Sequence, residues 1–356
     1  LEKGETGLRA RRVYLDWNAT APLSAQARAA MVAALDVVGN PSSVHAEGRA
    51  ARALVERARA QVAAALGAEG ADIVFTSGAT EAAALACAGR GLVCADVEHE
   101  AVSAWCDPVL PVDAQGRVTV ADPARSAVQL ANSETGVVQD LPAGLAVSDL
   151  TQGFGKLPFA FDWAGIDIGI VSAHKLGGPK GVGALLIRRG LDLVPQLKGG
   201  GQEMGRRAGT ENIPGIAGFG AAAEAAARDL ADGVWEPVAR FRNILESALS
   251  GPDSGTISLG HGVARLPNTL CLVTPGWKGE AQVMQMDLAG FAVSAGSACS
   301  SGKVRASRVL RAMGLPEADA ACAMRVSLGP DTAEADVMRF AETWAAARAR
   351  MQARRV

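Results

Sequence analysis

"GIDIGIVSAHKLGGPKGVGALLIRRG" spans residues 165–190, and its reading decides the fold. Two apolar runs, residues 166–171 and 182–187, flank a glycine-rich connection. Short β-branched runs bounded by turn residues read as buried strands. The first run ends in Ser172-Ala173-His174-Lys175, a polar cluster at the carboxyl end of a strand. In open α/β sheets, ligands bind beyond those ends. The same pattern recurs upstream. "ADIVFTS" (71–77) is a strand that feeds the helical "GATEAAALACAG" (78–89). "GLVCADVEH" (91–99) ends in His99. "SAVQLANSETG" (126–136) runs out at Asn132 and Ser133, and "LAVSDLTQ" (145–152) carries Asp149 and Gln152. The spacing predicts helices in "AQARAAMVAALDVV" (25–38) and "GRAARALVERARAQVAAALG" (48–67). The βαβα rhythm implies a doubly wound, mainly parallel sheet with helices on both faces.

Further on, a helical stretch over residues 215–249 is interrupted at "DGVWEP", where Pro237 predicts a kink or a restart. "NTLCLVT", "VSAGSACS" and "CAMRVSLG" then read as strands of a second, smaller α/β unit. The expected division is 13–235 for a large domain and 236–356 for a small one. "LEKGETGLRARR" (1–12) has no periodicity and reads as an appended or disordered extension.

Composition narrows the function classes. The chain has 356 residues, 49% hydrophobic and 20% charged, with a net charge of −2. That balance gives no general field for nucleic acid or anionic lipid. No apolar run is long enough to span a bilayer. The six cysteines form no C-x-x-C pair. No metal site or disulfide framework is expected, and a cytoplasmic location is.

Five strand ends deliver different chemistries to one edge. Gly78-Ala79-Thr80 opens a helix, where free N–H groups and the helix dipole favour a phosphate; an ordinary capped helix is the plainer alternative. Lys175 is either a solvated strand terminus or a lysine able to form a Schiff base in a partly desolvated site. Asp149 precedes it by 26 positions. Such a carboxylate could keep a pyridine nitrogen protonated, as pyridoxal phosphate (PLP) requires, or could simply cap a helix. His99 could lie over the ring or be a satisfied polar residue. Finally, "SAGSACSSGK" (294–303) places Cys299 among Ser and Gly residues that cannot bury it.

The order of "YLDWNATAP", "GNPSSVHAEG", "FTSGATEA", "VEHEAV", "ANSETGVVQ", "DLTQGFGKLP", "SAHKLGGPKGVGAL", "GGGQEMGRRAGTEN", "SAGSACSSG" and "MRVSLG" resembles that of NifS/IscS-type cysteine desulfurases. These belong to the class V aminotransferase group of fold-type I PLP enzymes. The resemblance covers nearly all of residues 13–330. It implies a large domain with a mainly parallel, seven-stranded type of sheet. It also implies conversion of L-cysteine to L-alanine, with sulfur passing to Cys299 as a persulfide. Lys175 would carry the cofactor and remove the α-proton, and His99 would stack on the ring and move protons. Asp149 would face the ring nitrogen, and Gln152 the ring hydroxyl. Gly78, Ala79, Thr80, Ser172 and His174 would hold the phosphate, with Asn132 and Ser133 near the ring. Thr210 would reach a neighbour's phosphate across a homodimer. Arg325 and Asn18 would hold the substrate. A sulfur-acceptor protein is implied, in iron–sulfur cluster assembly or in thio-cofactor or tRNA thiolation. A selenocysteine lyase, another enzyme of this fold and a weakly active sulfur-carrier scaffold are the alternatives.

Two departures stand out. The family's usual "NNE" is Asn132-Ser133-Glu134 here, and a shorter side chain at 133 shifts a ring-oxygen hydrogen bond toward Gln152 or water. Only nine residues separate Gln139 from Asp149, too few for a crossover helix. The interval from His99 to Asn132 is short as well.

Overall fold

The computed structural model describes residues 12–251, 254–296 and 306–353. Strand Ile168–Ser172 lies at the centre of a sheet. It pairs antiparallel with Gly183–Arg188, which pairs antiparallel with Ala71–Thr76 on its far side. On the other flank Ile168–Ser172 runs parallel to Ser148–Asp149. Parallel bridges Ala127–Val147 and Val93–Ser126 continue the sheet to Val93–Ala95, which pairs parallel with Asp107–Leu110. Seven extended segments are thus joined, mainly parallel, with Gly183–Arg188 as the antiparallel member. A glycine is required where this strand starts. A Cβ at Gly183 would lie 2.8 Å from Cα of Gly78, so the turn before helix Ala79–Cys87 packs directly on it.

Helices cover both faces. Ala46–Ala65 and Ile213–Ala231 cross closely, because a Cβ at Gly220 would sit 2.7 Å from Cα of Ala58. Phe219 fills the space beneath them and meets Phe75 and Phe154 edge-on. Burying such a ring contributes about 2–3 kcal/mol. Pro237 marks a restart: one helix ends at Ala231 and Trp235–Leu249 begins with the proline in its first turn, where the missing N–H has no helical partner to lose. Between Gln139 and Ser148 there is no helix, as the short interval requires.

A second, antiparallel sheet has the order Ser294–Ala295, Ala323–Ser327, Thr269–Val273, Ile257–Leu259. Its core includes Phe291, Phe340 and Trp344, and also Val13 and Leu15 from the start of the chain. Strand Val13–Tyr14 pairs parallel with Phe291–Ala292. Arg12, the last residue of the expected extension, contacts Asp287; the rest of that stretch, residues 1–11, lies outside the described residues. No helix among the described residues is long and apolar enough to cross a membrane.

Candidate active site

A cavity of about 630 Å³ opens at the carboxyl ends of the central strands. This size suits a small-molecule site. Lys175, His174 and Ser172 reach it from the end of Ile168–Ser172, and Asp149 and Gln152 from the end of the neighbouring strand. Gly78, Ala79 and Thr80 line it at the start of a nine-residue helix. His99, Ser133, Asn18 and Arg325 complete the wall. The strand ends were separated by up to about a hundred positions in the chain, and the sheet topology brings them to one rim.

Asn18 ties the site together. Its carbonyl accepts from Lys175 Nζ at 2.6 Å and from Gln152 Nε2 at 3.0 Å. Its side chain donates to the Ser133 carbonyl at 3.1 Å and to Thr269 Oγ1 at 2.8 Å. The Ala19 carbonyl also accepts from Lys175, at 2.9 Å. His99 Nδ1 accepts from the Ala101 N–H at 3.1 Å as the helix cap, which leaves the proton of a neutral ring on Nε2. Burial, then the charges of Lys175 and Lys180, push the His174 imidazole down to about 4, so it is neutral at neutral pH. Its Nδ1 lies 3.2 Å from Thr20 Oγ1.

Arg325 sits on the antiparallel sheet, in register with Ser294. It pairs with Asp16 at 2.7 Å and donates to the Ser133 carbonyl at 3.0 Å. Its buried Nε has no acceptor among the described residues. A guanidinium with unused donor capacity in a cavity wall is suited to a carboxylate.

Three calls fall elsewhere. Asn132 does not line the cavity. Its amide donates to the Val97 carbonyl, and its oxygen accepts from the N–H groups of Glu134 and Thr135, so it shapes the turn that presents Ser133. Thr210 is exposed and borders a separate hollow with Arg207 and Gly181. Cys299 lies outside the described residues; the other five cysteines are buried.

Sequence reasoning missed four charged residues around the site. Asp16 holds Arg325. Glu98 is buried, accepts from the Gln129 N–H at 2.8 Å, and is pushed well above the carboxylate range by desolvation. Lys156 supports Gln152. Glu134 accepts from Ser307 Oγ at 2.6 Å. Each lies within or beside a motif already quoted, but nothing in the sequence sets it apart from an ordinary charge.

Desolvation raises Glu134 to about 7, against the opposing pull of Ser307, Arg325, Arg308 and His99. Its folded value exceeds the ordinary one of 4.5. The stability it contributes is therefore complete below about pH 4.5 and lost as pH rises through about 7. Glu134→Gln keeps an acceptor for Ser307 and never ionises. The melting temperature of the variant relative to the wild type is expected to rise by a few degrees between pH 5 and pH 8, read by thermal scans at each pH. A difference that stays flat would contradict this.

The aminotransferase class-V family model matches residues 13–340. The chain belongs to that family. It is 41% identical to the cysteine desulfurase of Cereibacter sphaeroides, over 93% of this chain and 94% of that one. The solved NifS-like protein from Rickettsia africae ESF-5 superposes with a TM-score of 0.84 at 32% identity, covering 94% of this chain and 98% of the other. A solved structure of SspA in complex with cysteine matches with a TM-score of 0.72 at 29% identity, covering 90% and 100%. The fold is accordingly that of fold-type I PLP enzymes.

Proposed function

We propose that this chain is a PLP-dependent cysteine desulfurase that converts L-cysteine to L-alanine and passes the sulfur to Cys299 as a persulfide. The observation that carries the reading is the meeting of Lys175, Asp149, Gln152, His99 and Arg325 around one cavity. The donor set fits PLP: a helix start with neutral His174 and Ser172 for the phosphate, a carboxylate for the ring nitrogen and an amine for attachment. When bound, PLP supplies an electron sink for charge that develops at the substrate α-carbon. Arg325 and Asn18 orient the substrate, with the guanidinium on its carboxylate. Lys175 takes the α-proton. His99 is suited to pass a proton from Nε2. The Cys299 thiolate attacks the substrate sulfur, an S–S bond forms, and the C–S electron pair stays with the carbon fragment that becomes alanine. A sulfur-acceptor protein then receives the persulfide sulfur.

The same reading places the domain division at 13–235 and 236–356, with residues 13–15 joining the small-domain core. It also makes the chain a homodimer in which Thr210, exposed and not lining its own cavity, reaches the neighbour's phosphate. Sedimentation is expected to give twice the chain mass, and Thr210→Ala to weaken PLP binding. A fully active monomer would contradict both. The test of the function itself is L-cysteine with the PLP-loaded protein and a thiol reductant: equal amounts of alanine and sulfide are expected.

A further inference from the structure

Lys156 is only 3% exposed. A buried amine is costly unless well partnered, and a methionine would fill its place at lower cost. Its Nζ lies 3.0 Å from Gln152 Oε1 and 3.2 Å from the Gln152 carbonyl. Among the described residues no carboxylate lies within ion-pair distance of it. Both of its partners thus belong to one residue. Lysine donates in these contacts, so the amide atom it touches is the oxygen, and the opposite atom is the NH2 group. That group donates to the Asn18 carbonyl, which also accepts from Lys175. Gln152, Asn18 and Lys175 line the large cavity, whereas Lys156 does not. It borders a smaller hollow of about 290 Å³ behind them, shared with Asp229 and Asp331.

We propose that Lys156 is a positioning residue for the cofactor: by holding the Gln152 oxygen from behind, it keeps the amide's N–H donors on the cavity side. This rests on the cofactor placement proposed above. The device matters more in this chain than in one carrying "NNE", because Ser133 is too short to replace a misdirected Gln152 as donor to the ring oxygen. Nor does Lys156 add a full charge beside Lys175. Burial, then Lys175 and Arg325, push its amine down to about 7.

The test measures the PLP dissociation constant of the full chain for Lys156→Met, Gln152→Ala and the double variant, by absorbance titration. Each single variant is expected to weaken PLP by about 10-fold, the size of one lost hydrogen bond. The double variant is expected to be no weaker than Gln152→Ala alone, because both changes remove one interaction. Lys156→Gln, which restores an N–H donor, should recover part of the loss. The Met variant should melt no lower than the wild type at pH 6. There the lysine, lowered from 10.5 to about 7, has lost the stability it contributes at high pH. Unchanged PLP affinity in Lys156→Met alongside weakened affinity in Gln152→Ala would overturn the proposal. So would full additivity in the double variant. Unchanged affinity in Gln152→Ala would instead overturn the placement of Gln152 against the cofactor.

Discussion

Lys175→Ala is expected to lose the borohydride-fixable attachment of PLP and to lower alanine formation by at least about 10³-fold, within the range for removing a catalytic acid–base group. Two proposed roles vanish together: attachment of the cofactor and removal of the α-proton. Two other lysines are nearby. Lys180 lines the same cavity, but it follows the strand end at Ser172 by eight positions in a glycine-rich turn. Lys156 has an amine lowered to about 7 and so is partly unprotonated at neutral pH, but Gln152 stands between it and the cavity. Neither should take over. The cavity itself should persist, since the Asn18 and Ala19 carbonyls that Lys175 meets belong to a segment also held by Thr269 and Gln152. Peptide mapping after reduction of the wild type checks the assignment, and label on Lys180 or Lys156 would sink it.

The second large effect belongs to Cys299. Cys299→Ser should bind PLP with wild-type affinity and show the wild-type absorbance change on adding L-cysteine. Those steps are assigned in the proposed function to Lys175, Asp149, Gln152 and Arg325, which the substitution leaves alone. Sulfide and alanine release should fall by about 10³-fold or more. A serine hydroxyl is un-ionised at neutral pH and is a far poorer nucleophile toward sulfur than a thiolate. Cys299 lies outside the described residues, but Ser294, five positions before it, pairs in register with Arg325, the residue proposed to hold the substrate carboxylate. Undiminished alanine and sulfide production by the serine variant would remove Cys299 from the reaction.

The strands and the polar positions at their ends were legible for a common reason. A parallel α/β sheet repeats a local pattern, an apolar run followed by a polar end, and each repeat is written in a few adjacent residues. Residues 165–190 alone show two strands, their turn and the candidate lysine. The resemblance then assigned roles position by position. The cavity gathers Lys175, Asp149, Gln152, Ser172, His174 and the helix start at Gly78 from three separate stretches, as those strand ends implied. The absent crossover helix between Gln139 and Ser148 followed from length alone.

Tertiary structure decided what depends on contacts distant in sequence. Asn132 and Ser133 are adjacent and equally polar, yet only Ser133 reaches the cavity. The amide of Asn132 is consumed by the turn and by Val97, thirty-five positions away. Val13 and Leu15 pack into the C-terminal core because Val13–Tyr14 pairs with Phe291–Ala292, a register that no local pattern encodes. Asp16, Glu98, Glu134 and Lys156 read as ordinary charges in the sequence. Only the fold shows that Asp16 holds Arg325, that Glu98 and Lys156 are buried, and that Glu134 anchors Ser307. Ionisation is set by desolvation and by neighbours within a few ångströms, and both come into being when the chain closes on itself.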